Sequence, residues 1–285
     1  MRFLTSTPRG VFEYNNGKVE LKCKGWVYGL THSENEIFVF ERANNNTGTK
    51  LNLYDKNFQL CYSRNLPEII DNHQAHYDPK SDRVAIANTR KNCITLFSPN
   101  GPHALETRNF SWRPAHSDIN HINSCWNDGS RWFFLEHNGK SSSPGKALSF
   151  DNHFQNERCV EVPKNCHNVY VEDNWLFTTY SINSAMVAIN MNTGEKRSGS
   201  FKNPINSRSL HTRGLARPGS KDYFLVGGSV HTERGGRLVK IDAVVLKVSN
   251  DFKLIEYYVI PDGNQIYEIR ILDQPDLAHN GVMLK

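Results

Sequence analysis

Residues 167–201, HNVYVEDNWLFTTYSINSAMVAINMNTGEKRSGSF, contain four short strand-like runs separated by turn-forming residues. The runs are His167 to Val171, Trp175 to Tyr180, Ala185 to Ile189 and Glu195 to Phe201. Between the runs lie Asn, Asp and Gly, which favour tight turns, and β-branched and aromatic residues recur within them. The pattern predicts four antiparallel strands that follow one another as hairpins.

The same unit recurs along the whole chain. Its copies open at Trp26, His73, His121, His167, His211 and Gln265. The spacings between these residues are 47, 48, 46, 44 and 54. No stretch shows the sustained periodicity of a long helix, and a repeat of this length built from short strands is typical of a β-propeller with one four-stranded blade per repeat. We therefore expect an all-β, six-bladed β-propeller.

The two ends of the chain together supply the sixth blade. Residues 2–23 contain three runs that match the second, third and fourth strands of the unit, and Gln265 to Ile271 matches the missing first strand. A blade shared between the termini closes the ring and leaves no free sheet edge. We expect a single domain over residues 1–285, with residues 273–285 as a tail packed across the closing blade.

Composition and hydropathy predict a cytoplasmic protein without a membrane anchor. The N-terminus begins no apolar run of signal-peptide length, and no segment approaches the length of a membrane span. The six cysteines lack CxxC spacing and are expected to be reduced thiols. The net charge of +5 is mild and spread along the chain, so it does not predict a nucleic-acid partner.

Histidine opens the unit in four of its six copies. The first strand of each propeller blade lines the central channel, so equivalent residues of successive first strands surround one axis. These residues are His73, His121, His167 and His211, with His76 as the alternative to His73. Histidine makes up only 12 of 285 residues, so composition alone does not account for this recurrence.

Three interpretations of the histidines are open. Imidazole nitrogens from separate rigid strands suit a divalent metal ion such as Zn or Fe, and such a site leaves coordination positions for water and substrate. The same side chains can instead line a polar pocket without metal. They can also be structural, each donating a hydrogen bond to a backbone carbonyl oxygen of a neighbouring blade.

Four further residues are predicted to bind substrate beside the histidines. Arg213 lies two residues after His211 and therefore on the same face of its strand, and Tyr28 has the same place in the first copy. Gln265 occupies the opening position of the sixth copy, and Arg270 reaches this face if a β-bulge intervenes. A guanidinium group at this place suits a carboxylate or a phosphate.

Other polar residues admit alternatives. Both arginines can instead form salt bridges with Glu268 or Asp118. Gln74, Asn123 and Asn168 follow the histidines closely and either bind hydroxyl groups or cap strands. Seven histidines fall in turns or outer segments and are expected at the surface, namely His32, His103, His116, His137, His153, His231 and His279.

Over essentially its whole length the chain resembles six-bladed β-propellers in repeat length, strand order and terminal closure. The ring of His73, His121, His167 and His211 is similar to the four-histidine iron site of carotenoid-cleaving oxygenase propellers. Three histidines with Gln265 are similar to the manganese site of oligogalacturonate lyase propellers. These resemblances imply a divalent Fe or Mn ion as the cofactor, beside the Zn that imidazole chemistry allows.

The sequence therefore predicts an axial pocket that holds a divalent metal ion through a ring of histidines. Such a protein would act on a small polar or anionic substrate as a lyase, a hydrolase or an oxygenase. The alternative is a non-catalytic propeller that binds a protein or a glycan partner.

Overall fold

A computed structural model describes residues 1–43, 48–98, 118, 120–138, 143–230 and 240–285. In this part of the chain, 23 strands form six sheets, and the helical elements are two 3-10 turns of three residues each. None of the helices within the described residues has the length and apolar character needed to cross a membrane.

The strands follow the order of the predicted units. The N-terminal strands are β1 (Arg2–Thr7), β2 (Gly10–Asn15) and β3 (Lys18–Lys24). Blade one is β4 (Val27–His32), β5 (Glu36–Arg42), β6 (Thr49–Asp55) and β7 (Leu60–Leu66). The described strands of blade two are β8 (Asn72–Asp78), β9 (Arg83–Asn88) and β10 (Cys93–Phe97). Blade three is β11 (Ile122–Asn127), β12 (Arg131–Glu136), β13 (Gly145–Asp151) and β14 (Arg158–Val162).

The second half of the ring repeats the arrangement. Blade four is β15 (Cys166–Glu172), β16 (Trp175–Tyr180), β17 (Ala185–Asn190) and β18 (Lys196–Ser200). Blade five is β19 (Leu210–Ala216), β20 (Tyr223–Val230), β21 (Ala243–Ser249) and β22 (Leu254–Ile260), and β23 (Glu268–Ile271) is the last strand. The 3-10 turns cover Thr89–Lys91 and Ser181–Asn183.

The first strands of the blades form a closed ring around the axis. Contacts run from β4 to β8, β11, β15, β19 and β23 in turn, and β23 contacts β4 again. Blades one to five are antiparallel sheets whose described strands follow in chain order from this ring outward. The arrangement confirms the predicted six-bladed β-propeller.

The closing blade joins the two ends of the chain, as expected. Strand β23 pairs antiparallel with β1, with Phe3 opposite Ile271, and the sheet order is β23-β1-β2-β3. Phe3 is wholly buried, with its ring 4.8 Å from Tyr14 of the same blade and 5.7 Å from Tyr258 of blade five. Apolar packing and backbone hydrogen bonds therefore hold the ring closed without a covalent link.

A β-bulge near the start of the inner strand interrupts the pairing in blades one to five. The register shifts between Val27 and Gly29, and at corresponding places in β8, β11, β15 and β19. Counted from these bulges, His73, His167 and Arg213 are equivalent residues. His121 lies one residue and His211 two residues before the equivalent position. Bulges redirect side chains, so spacing along the chain alone did not reveal this alignment.

The C-terminal tail crosses the closing blade at the other end of the channel. The carboxylate of Asp276 accepts hydrogen bonds from the backbone N–H groups of Arg217, at 3.0 Å, and Ile271, at 3.1 Å. The last residue, Lys285, donates its backbone N–H to Glu34 of blade one. The tail therefore connects blade five, the closing blade and blade one.

Candidate functional site

A run of aromatic rings surrounds the end of the channel where the inner strands begin. The separations between neighbouring ring centroids are 4.0 Å for Tyr267 and Tyr28, 4.9 Å for Tyr28 and His73, 5.1 Å for His73 and His121, 4.9 Å for His121 and His137, 4.9 Å for His137 and His167, and 6.2 Å for His167 and His211. We call these seven side chains the aromatic arc. The guanidinium carbon of Arg213 lies 5.8 Å from the Tyr267 ring, so the arginine borders the same mouth.

The arc contains two side chains that the sequence did not single out. His137 was expected at the surface, but its ring lies between those of His121 and His167. Antiparallel pairing causes this placement, because the end of β12 returns to the start of β11 and the backbone N–H of His137 donates to the carbonyl oxygen of His121. The pairing of hairpin ends could therefore have predicted this position of His137, but the alignment of repeats did not take it into account. Tyr267 is the other addition.

The structure also separates His73 from His76. His73 belongs to the arc, whereas the His76 ring lies 5.4 Å from His279 and 5.7 Å from Trp132. His32 and His279, expected at the surface, are instead 0% and 1% exposed because the tail, which carries His279, packs against blade one. His153 is exposed, as expected. His103, His116 and His231 lie outside the described residues.

Gln265 and Arg270, two of the four predicted substrate-binding residues, are bonded to neighbouring groups inside the protein. Gln265 accepts a hydrogen bond from the Tyr267 hydroxyl at 3.2 Å. Arg270 is 0% exposed, with its Nη2 2.7 Å from Oε2 of Glu268 and 3.1 Å from the carbonyl oxygen of Ala75. The salt bridge to Glu268 is the alternative that the sequence left open for this arginine. Tyr28 and Arg213 remain at the arc.

The amide side chains that follow the histidines connect neighbouring inner strands. Asn123 donates to the carbonyl oxygen of Cys166 at 2.9 Å. Asn168 accepts from the backbone N–H of Gly214 at 2.7 Å and donates to Glu268 across the channel at 3.2 Å. Their role in the structure is therefore to join blades.

One ring nitrogen of His73 is held as a donor. Its Nδ1 lies 3.1 Å from the carbonyl oxygen of Asp71 and 2.8 Å from the hydroxyl of Thr89. A carbonyl oxygen can only accept, and the Thr89 hydroxyl donates its own hydrogen to the carbonyl oxygen of Ile122 at 2.6 Å. The proton of the neutral ring must therefore be on Nδ1, which leaves Nε2 with its lone pair.

The same arrangement recurs two blades away. Nδ1 of His167 lies 3.2 Å from the carbonyl oxygen of Asn165 and 2.8 Å from the hydroxyl of Ser181, which donates to the carbonyl oxygen of Thr212 at 2.8 Å. Thr89 and Ser181 each begin a 3-10 turn. In His121, Nδ1 is 2.8 Å from the carboxylate of Asp118. Three imidazoles of the arc thus use Nδ1 inside the protein and keep Nε2 for another partner.

Burial keeps three histidines of the arc, His73, His137 and His167, neutral. It lowers the pKa of His73 to about 3, against the smaller raising effect of the Asp71 carboxylate. It lowers the pKa of His137 to about 2, and that of His167 falls well below its ordinary value with Arg213 as the next cause. At neutral pH these rings therefore act as hydrogen-bond acceptors or metal ligands through unprotonated nitrogens. Nε2 of His167 is buried and has no hydrogen-bond partner among the described residues.

A small cavity lies inside the arc. Its volume is about 10 Å³, which is roughly the space that one water molecule needs. Its walls are Tyr28, His73, Gln74, Asn123, Ser124, His167, Asn168, Arg213, Tyr267 and Glu268. His121, His211, Gln265 and Arg270 do not line it.

The arc has the spacing of metal-binding histidines in pairs only. With metal–nitrogen bonds of ~2.1 Å, two imidazoles on one tetrahedral ion place their ring centroids ~5 Å apart. This spacing matches three neighbouring pairs, His73 with His121, His121 with His137 and His137 with His167. Across the described residues, no three His, Cys, Asp or Glu side chains converge to hold an ion. A third imidazole ligand would therefore have to rotate towards a pair.

Neither a family model nor a curated protein matches the chain. Among solved structures, one chain of a nidogen/laminin complex has a TM-score of 0.70 at 6% identity, covering 94% of this chain and 97% of that one. The periplasmic gluconolactonase of Pseudomonas aeruginosa has a TM-score of 0.61 at 9% identity, with coverages of 96% and 99%. A putative 6-phosphogluconolactonase from Bacteroides uniformis has a TM-score of 0.56 at 12% identity, with coverages of 90% and 82%. Identities this low establish the propeller fold alone.

Proposed function

We propose that the mouth inside the aromatic arc binds a small anionic compound with several hydroxyl groups and hydrolyses its ester or lactone bond. The observation that carries the proposal is the combination of neutral imidazoles with Arg213 around one cavity. Nε2 atoms that are fixed as acceptors suit the hydroxyl groups of a ligand. The guanidinium group of Arg213 suits a carboxylate.

Two further observations favour hydrolysis. The cavity has space for one water molecule next to the proposed ligand site. Two propellers of similar fold carry the names gluconolactonase and putative 6-phosphogluconolactonase, and aldonic acids and their lactones have the chemistry that this mouth suits. A lactone is too large for the cavity itself, so only its reacting group would enter.

The test uses D-gluconate binding by calorimetry and the hydrolysis of D-glucono-1,5-lactone by proton release, corrected for the uncatalysed rate. Arg213→Gln should weaken gluconate binding ~10–100-fold, because a hydrogen bond to a charged group contributes ~1.5–3 kcal/mol. The matched control is Arg158→Gln, since Arg158 is exposed on the outer strand of blade three. Wild-type protein that neither binds gluconate nor hydrolyses the lactone would refute the proposal.

A divalent ion, Zn, Fe or Mn, is a second candidate occupant of the same mouth. His73, His121 and His167 would hold it, since hydrogen bonds on Nδ1 orient imidazole ligands and leave Nε2 for the metal. The ion would polarise a substrate oxygen. Elemental analysis of protein purified without a polyhistidine tag tests this, with loss of the metal expected in His121→Ala/His167→Ala. Metal-free protein after reconstitution would exclude it.

A protein partner is the non-catalytic alternative. The outer strand of blade five exposes Leu254, Ile255 and Tyr257, which are 43%, 54% and 43% accessible. The similar fold from the nidogen/laminin complex belongs to a protein–protein assembly. An inactive wild-type protein whose association with a partner is abolished by Ile255→Asp would favour this alternative.

A further inference from the structure

We propose that Glu268 is the general base of the hydrolysis, taking a proton from a water molecule held in the cavity inside the aromatic arc. This inference rests on the proposed hydrolytic function and adds a catalytic residue that the sequence pointed to only as a salt-bridge partner. Glu268 is 2% exposed and forms part of the cavity wall, together with His73, His167 and Arg213.

The cavity has the volume that one bound water requires. A buried water usually makes about three hydrogen bonds. Besides Glu268, the wall carries the side chains of Asn123, Ser124 and Asn168. A water molecule there would lie between the carboxylate and the mouth at which the substrate is proposed to bind.

The two oxygens of the Glu268 carboxylate have different partners. Oε1 accepts a hydrogen bond from Nδ2 of Asn168 at 3.2 Å, which orients the group. Oε2 forms an ion pair with Arg270, whose Nη2 lies 2.7 Å away, and no hydrogen bond to this oxygen meets normal geometry among the described residues. A buried carboxylate oxygen without a donor is costly unless a water or a ligand supplies one. The cavity is the place from which a donor can come.

Burial gives Glu268 the basicity that the role needs. Burial raises its pKa to about 7, with Arg270 opposing the rise and Asp276 adding to it. A general base is most effective when its pKa lies near the working pH. The imidazoles of His73 and His167 face the same cavity, but their lowered pKa values make them weak bases.

The chemical step is balanced without a cofactor. Glu268 removes one proton from the water as the water oxygen bonds to the carbonyl carbon of the lactone, and the carbonyl electron pair moves onto its oxygen. When the carbonyl double bond re-forms, the bond to the ring oxygen breaks. The ring oxygen takes the proton back from Glu268, and the product is the open hydroxy acid.

The experiment is Glu268→Gln, which keeps the shape and the hydrogen bond from Asn168 but cannot accept a proton. We expect kcat for D-glucono-1,5-lactone to fall ~10²–10⁴-fold, while the Kd of gluconate changes less than about threefold because binding does not use the base. The control is Glu157→Gln at an exposed site. A Glu268→Gln variant that retains more than one tenth of the wild-type kcat overturns the inference.

Arg270 loses its charged partner in Glu268→Gln. If this single variant does not fold, the double variant Glu268→Gln/Arg270→Met replaces it in the same assay. An independent measurement is the pH profile of wild-type kcat, which should rise with pH and level off above about 7. A flat profile between pH 5.5 and 8.5 contradicts a Glu268 base. If the wild type and the Gln variant are both active, the role of Glu268 as the base is refuted and the proposed hydrolysis is not. A wild type that is inactive towards the lactone refutes both the hydrolysis and the role of Glu268.

Discussion

Replacing Glu268 by Gln should change how the stability of the protein depends on pH. Burial raises the pKa of Glu268 to about 7 in the folded protein, against 4.5 for an ordinary glutamate. Between these values the folded chain holds a proton that the unfolded chain has released. The stability from this protonated carboxyl is therefore fully present below pH 4.5 and is lost as the pH rises through 7.

The size of the effect follows from the two pKa values. Each pKa unit corresponds to ~1.4 kcal/mol, so the difference between 7 and 4.5 sets an upper limit of about 3–4 kcal/mol. Between pH 5 and pH 8 the linkage relation gives about 2–3 kcal/mol. From pH 5 to pH 8 the free energy of unfolding should therefore fall more in the wild type than in Glu268→Gln, and the difference between the two decreases should be about this amount.

The assay is urea denaturation of both proteins at pH 5, 6, 7 and 8, followed by circular dichroism. The buried histidines, whose folded pKa values are lowered, reduce stability below pH 6.5 in both proteins and cancel in the difference. Glu157→Gln should show the pH dependence of the wild type. A wild-type-minus-variant difference that stays constant from pH 5 to 8 would refute the assignment of a raised pKa to Glu268.

Three further outcomes follow from the structure. At pH 7, nitrogen NMR should find His167 protonated on Nδ1, and the Nε2–H form would contradict the hydrogen-bond chain through Ser181. Phe3→Ala should lower the free energy of unfolding by ~3–5 kcal/mol and Tm by about 10 °C, and a shift below about 2 °C would mean that Phe3 does not hold the closing blade. Asp276→Asn should lower the free energy of unfolding by ~1–3 kcal/mol, because an amide donor replaces a carboxylate oxygen that accepts a buried backbone N–H. An unchanged midpoint in denaturant unfolding would show that the tail does not depend on this carboxylate.

The architecture could be read from the sequence because its signals are local. Alternation within short runs and turn residues between them act over a few positions, and their recurrence gave the number of blades. The pairing of β23 with β1 followed from counting strands, since the N-terminal residues supplied three strands of a four-stranded unit. The mouth of the channel was likewise located by the residues that open each repeat.

The composition of the site needed the tertiary structure. The bulges, not the spacing, align His73 with His167 and Arg213. His137 enters the arc through the return of a hairpin. Alternation in residues 268–271 defines two strand faces, but only the closed ring packs the isoleucines in an apolar cluster and brings Glu268 to Asn168 and Arg270 to Ala75.

The physical reason is the distance along the chain over which the decisive contacts form. Asn168 reaches Glu268 across 100 residues, and Arg270 reaches Ala75 across 195. Local sequence determines each strand and turn, because those depend on backbone preferences and on the polarity of neighbouring residues. Side chains from different blades determine which carboxylate oxygen lacks a hydrogen-bond donor, which imidazole nitrogen carries the proton and which carboxyl group is buried. Only the closed ring brings these side chains together.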